Sequence, residues 1–127
     1  MHEEDLAIVK GLVPIAWADG EYADKEKETI DALLDAFGAT DQEKAMLRDY
    51  AGQRRSLEDI NLQDLSANDR RMLLQHAVVL TWVDGKQSPE ERAILDQLAI
   101  HLKIAPEEAA PIIETATKRV KSHLNLL

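Results

Sequence analysis

The sequence predicts an all-α fold, a compact bundle of six to seven helices, and three observations lead there. Apolar residues recur at helical spacing along the chain, and no stretch alternates with the period of a strand. Glycine and proline fall mostly at the edges of those segments, where helices start and stop. The phrase WADGEYADKE, from Trp17 to Glu26, returns as WVDGKQSPEE, from Trp82 to Glu91. A phrase written twice at a fixed offset points to two pseudo-symmetric three-helix units packed as a pair.

The elements follow in order. A first helix covers residues 3–19, with Leu6, Val9, Val13, Ala16 and Trp17 inward, and Pro14 should kink it or loosen one turn. Gly20 stops it. A second covers 24–37, with Ile30, Leu33, Leu34 and Phe37 on one face, and Gly38 ends it. A third covers 41–51 and buries Ala45, Leu47 and Tyr50. Residues 52–67 form a linker, within which SLEDINL has the makings of a short helical turn. A fourth helix covers 68–84. Its MLLQHAVVLTWV is apolar nearly all round, the mark of a buried central helix. A fifth covers 89–103, with Ile94, Leu95, Leu98 and Leu102 inward. The last starts at Pro106 and runs to about 125, and Pro111 should split off its first turn. The whole is one domain, 1–127: a first repeat over about 3–51, the linker, a second repeat over about 68–116, and a helical extension beyond it.

With 127 residues, the chain is long enough for a core without staples. Cysteine is absent, which removes disulfides and thiolate chemistry. His2, Glu3, Glu4 and Asp5 stand where a secretory leader would be basic. No apolar run approaches the ~18 residues of a membrane span. These features lead to the expectation of a cytoplasmic protein without direct membrane insertion. The net charge is −9 and uneven. Residues 1–51 hold 13 acids and 5 bases, a balance of −8, and residues 52–127 hold 11 acids and 10 bases, a balance of −1. Such a surface repels nucleic acid and anionic lipid, attracts cations and basic partners, and also serves plain solubility.

The repeated phrase has a structural reading. Gly20 and Gly85 suit the left-handed residue after a helix. Ser88-Pro89-Glu90-Glu91 is a helix start, with Ser88 as cap and Glu91 closing a capping box. Trp17 and Trp82 then anchor the core. Two details go further. Asp19 and Asp84 fall at helix C-termini, where a carboxylate is disfavoured by roughly 0.3–1 kcal/mol, so a metal ion or a basic side chain should compensate. Glu26 follows Ala23 rather than a capping serine, so no capping box accounts for it unless Asp24 caps. An EF-hand is excluded, because its first and third ligand positions would be Ile15 and Trp17, or Leu80 and Trp82.

These residues, ADGEYADKE and VDGKQSPEE on helix ends of an all-α chain, resemble the tellurite-resistance TerB-like family. The resemblance spans about Leu6 to Ala116. It implies a non-enzymatic domain linked to tellurite and oxidative stress resistance and to membrane-associated stress complexes, with acidic corners that bind a divalent metal. Carried over, the metal-ligand candidates are Asp19, Glu26, Asp84 and Glu91. Val83 departs from the family's alanine, and Lys86 stands where the first copy has Glu21, so Lys86 could itself neutralise Asp84.

Elsewhere there is no catalytic constellation. His76 reads as a partly buried core residue, and His2, His101 and His123 share no metal spacing with it. No phosphate loop or nucleophile elbow is present. Arg54, Arg55, Arg70 and Arg71 read as solvated partners of acids, with docking of an acidic partner as the alternative, and Lys118, Arg119 and Lys121 suit a helix C-terminus. The functional expectation is therefore a domain that binds calcium, magnesium or manganese, the cations favoured by oxygen ligands, or a protein partner that is basic or itself membrane-associated. A homodimer stays open. The alternative is a metal-free interaction module whose acidic first repeat docks a basic protein. A metal-dependent hydrolase built on paired carboxylates lacks a supporting histidine.

Overall fold

The computed structural model describes residues 2–18, 24–83 and 85–123. Among them are six α-helices and no strand: α1 (Glu3–Ala16), α2 (Asp24–Ala36), α3 (Asp41–Ala51), α4 (Ala67–Thr81), α5 (Pro89–His101) and α6 (Pro106–His123). The stretch between α3 and α4 carries two single 3₁₀ turns, Leu57–Asp59 and Leu62–Asp64. The first falls where SLEDINL led us to expect a turn.

The helices pack around α4. Its largest interface is with α1, followed by α6 and α5. Leu73, Leu74, Ala77 and Val78 of α4 meet Ile8, Val9, Leu12 and Ile15 of α1 in one continuous core, and none of these eight exceeds 2% exposure. Gly11 lies at this crossing. A Cβ built on it would stand 2.6 Å from Leu73 Cδ2. The absent side chain is what lets Leu73 pack against the α1 backbone.

Caps define the helix starts. Thr40, Ser66 and Ser88 each form a capping box with Glu43, Asp69 and Glu91 respectively. The ends of α2 and α5 share one motif. Ala39 N–H donates to Leu34 O and Gly38 N–H to Asp35 O, while Ile104 N–H donates to Ala99 O and Lys103 N–H to Ile100 O. Both are Schellman ends built on a left-handed residue. Gly38 adopts φ +75°, but at the matching place α5 uses Lys103 at φ +59°. The 65-residue offset of the repeated phrase thus reaches Gly38 and Lys103. It also relates the starts of α2 and α5 (24 and 89), the starts of α3 and α6 (41 and 106), and the ends of α1 and α4 (16 and 81).

Several expectations need correction. α1 stops at Ala16 and α4 at Thr81, each three residues short of the predicted end. Pro111 does not split α6, which runs unbroken through it, whereas α1 ends two residues after the buried Pro14. Pro111 sits in the second turn, where its missing N–H removes only one early bond. Ala45 is exposed, because Leu47 and Ala51 carry the buried face of α3. Leu6 and Tyr50 are half-buried, as are Trp17 and Trp82. The tryptophans are cap residues at helix ends and not central core anchors.

Two substitutions test this packing. Gly11→Ala ordinarily gains up to about 1 kcal/mol of helix propensity. Here it should cost a net ~1–3 kcal/mol by overpacking against Leu73, read from urea denaturation. Lys103→Gly should stabilise by roughly 1 kcal/mol, because glycine removes the cost of the left-handed conformation. A neutral Lys103→Gly melt would show that the α5 end is not held in that conformation.

Candidate functional site: the two helix corners

The corners join α1 to α2 and α4 to α5. Asp19, Gly20, Glu21, Tyr22, Ala23 and Asp84 lie outside the described residues, so the expected positive φ of Gly20 and the placement of both corner aspartates do too. The helix ends still bear on them. With Trp17 and Trp82 as C-caps, Asp19 and Asp84 fall two residues beyond the cap in sequence.

The two glutamates are well defined. Glu26 and Glu91 occupy matching places in the first turns of α2 and α5. Each is 8% exposed, and they are the two buried charged residues among those described. At the second corner the reason is local. Ser88 N–H donates to Glu91 Oε1 at 2.9 Å, and Glu91 N–H donates back to Ser88 Oγ at 3.1 Å. Gly85 takes φ +86°, as the helix-stop reading predicts, with its N–H donating to Trp82 O. The loop is pinned by a link that the sequence does not advertise: Gln87 Nε2 donates to Thr81 Oγ1 at 3.0 Å, and Thr81, 1% exposed, donates in turn to Val78 O. Lys86 is exposed. Among the described residues no three His, Asp or Glu side chains gather, so Glu26 and Glu91 join no third described acid in a ligand group.

Beside each corner lies a groove. The first, of about 410 Å³, is lined by Trp17, Lys27, Asp31, Arg48 and Gly52. The second, of about 550 Å³, is lined by Arg92, Ile113 and Thr117, among others. These three stand 65 residues after Lys27, Arg48 and Gly52, so the grooves match. Their tryptophans do not. Trp17 Nε1 donates to Ala51 O at 3.0 Å. Trp82 Nε1 is buried and has no acceptor among the described residues. The cause is helix length. Ala51 ends α3, so its carbonyl has no intrahelical donor, whereas its counterpart Ala116 is interior to α6 and spends its carbonyl on the helix. Instead, Lys121 Nζ sits 4.9 Å from the centre of the Trp82 ring.

Two of the four arginines expected to be solvated, Arg55 and Arg70, bond backbone carbonyls instead. Arg70 donates to the carbonyls of Leu62, Leu65 and Leu102, tying the linker to the end of α5. Arg55 donates to Tyr50 O and stacks on its ring, with Lys10 over the same ring. Burial raises the Tyr50 pKa, aided by the charge of Asp59. Arg71 pairs with Glu108 as expected. His76 is half-buried edge-on to Phe37, consistent with the core reading, and burial lowers its pKa. Comparison with protein-family models, curated proteins and solved structures finds no match to this chain.

The depressed histidine has a consequence for folding. Below about pH 6.5 the unfolded chain protonates His76 more readily than the folded one, so its contribution to stability falls as pH drops toward the folded pKa. Melting from pH 7.5 to 5 should show wild type losing more stability than His76→Gln. Parallel slopes would remove His76 as the cause.

Proposed function

We propose that this chain is a non-enzymatic, TerB-like domain that binds a divalent cation through its two Asp-Gly corners, of the kind that the resemblance links to tellurite and oxidative stress. The carrying observation is the burial of Glu26 and Glu91 at matching places beside the two corners. Buried carboxylates are costly unless compensated by hydrogen bonds or cations. A carboxylate offers about four acceptor positions, so a capping bond and a cation are compatible on one group. Asp19 and Asp84 complete the proposed ligand set, with calcium, magnesium or manganese as the fitting ions.

A second reading is favoured by the Ser88–Glu91 capping box, which by itself gives Glu91 a structural role. On it the chain is a metal-free interaction module whose acidic first half docks a basic partner. No helix among the described residues is long and apolar enough to cross a membrane, so on either reading those helices act without spanning a bilayer.

Thermal melts with calcium and with a chelator separate the two. On the metal reading, wild type gains about 2.7 kcal/mol at a hundredfold excess of calcium over the dissociation constant. Asp19→Asn loses most of that gain while folding normally in chelator. Glu91→Gln is the sharper variant, because glutamine can serve in the capping box and so preserves the fold while weakening a ligand. Manganese and magnesium follow in the same format. Identical wild-type melts under every condition would leave the interaction module.

A further inference from the structure

The second groove has a chemistry that the corners do not explain. Ala110, Ile113, Thr117 and Lys121 follow one another along α6 at helical spacing, a stripe roughly 16 Å long. Ile113 is 5% exposed and forms the floor between two smaller residues. Cations stand around it. Arg92 of α5 and Lys118 of α6 are well exposed, with side-chain exposures of 52% and 70%. Lys121, whose Nζ sits over the Trp82 ring, also lines the groove and brings it a third charge. Arg119 follows on the same helix, and no acid occurs in α6 after Glu114. Arg92 pairs with Asp96 at 3.8 Å and Lys118 with Glu114 at 3.1 Å, both within their own helices. Exposed pairs of this kind are worth only a few tenths of a kcal/mol, so an incoming carboxylate can replace them.

We propose that this groove docks an acidic amphipathic helix from another protein, its apolar stripe along Ala110, Ile113 and Thr117 and its carboxylates on Arg92, Lys118 and Lys121. The argument is charge complementarity set against the charge of the whole chain. The net charge is −9, so with the three lining cations Arg92, Lys118 and Lys121 removed the rest carries −12. An extended polyanion such as a bilayer or a duplex is repelled by all of that. A short helix seated in the groove senses charges within about 8–10 Å at moderate salt, where the cations dominate. The mode is a helix in a groove, anchored at i, i+3 and i+7. It uses a surface apart from the proposed metal ligands, so it stands or falls independently of cation binding.

The test uses the full chain in chelator and a synthetic helical peptide of roughly 16 residues, about 24 Å long, with leucines along one stripe and glutamate elsewhere. In a ¹⁵N amide titration, shifts should concentrate at Arg92, Ile113, Thr117 and Lys121. Lys118→Glu should weaken binding about tenfold or more, and so should raising salt from about 0.05 to 0.5 M. Lys118→Gln, with an unchanged melting temperature, serves as the milder variant and should weaken binding by a smaller factor. Shifts mapping elsewhere, affinity indifferent to both substitutions, or equal binding of the same peptide with lysine for glutamate would overturn the proposal. So would a concentration-dependent dimer of the chain alone that Lys118→Glu abolishes, since the occupant would then be a second copy. Co-flotation with phosphatidylserine vesicles that Lys118→Glu abolishes would assign the groove to a membrane surface instead, and would equally overturn it.

Discussion

The crossing of α1 and α4 is the constraint on which the other parts depend. Gly11 removes one side chain so that Leu73 can press against the α1 backbone. That close approach brings Ile8, Leu12, Ile15, Leu74 and Val78 into a single core. Everything else is arranged around the pair. α2 and α3 pack on α1, while α5 and α6 pack on α4. Both helix corners leave from the C-terminal ends of the central pair, so the geometry that sets the crossing also sets the position of each corner.

Elements 65 residues apart differ in instructive ways. Gly38 and Lys103 sit at the same turn of the same motif, yet lysine accepts a conformation that glycine takes without cost. Trp17 and Trp82 cap the same end of their helices, yet among the described residues only Trp17 finds a carbonyl. The longer α6 removes that acceptor and supplies Lys121 instead. The same extension carries Lys118 and Lys121, two of the three cations of the second groove. The difference in helix length therefore accounts for an indole N–H with no acceptor among the described residues, for the cation over its ring and for two of the three cations of the groove.

Much of this was legible in the sequence, for reasons that differ between elements. The starts of α3, α5 and α6 were read correctly because each begins at a capping or proline signal acting over a few residues. Burial of Leu34, Leu47, Leu95 and Leu98 followed from helical periodicity. Ala45 was misread because a small apolar residue is tolerated on either face. The tryptophans were misread because their size implied the core, while their position at helix ends leaves one edge to solvent. Glu26 and Glu91 were singled out by the repeat, and their burial is a property that spacing alone does not contain. The Thr81–Gln87 link and the Lys121–Trp82 contact depend on side-chain direction across a loop or between helices, and no local pattern encodes either.

The α1–α4 crossing also shapes how the chain is made. α1 is complete at Ala16, but the helix that covers its apolar face is complete only at Thr81. The 65 residues between them take roughly 3–13 s to synthesise at about 5–20 residues per second. Through that interval Ile8, Val9, Leu12 and Ile15 have no α4 to bury against. The nascent chain passes through a stage in which its most apolar helix is open to trigger-factor-like holding chaperones and to neighbouring chains on the same message. The acids at positions 3–5, at the head of that helix, give this exposed segment a repulsive charge while it waits.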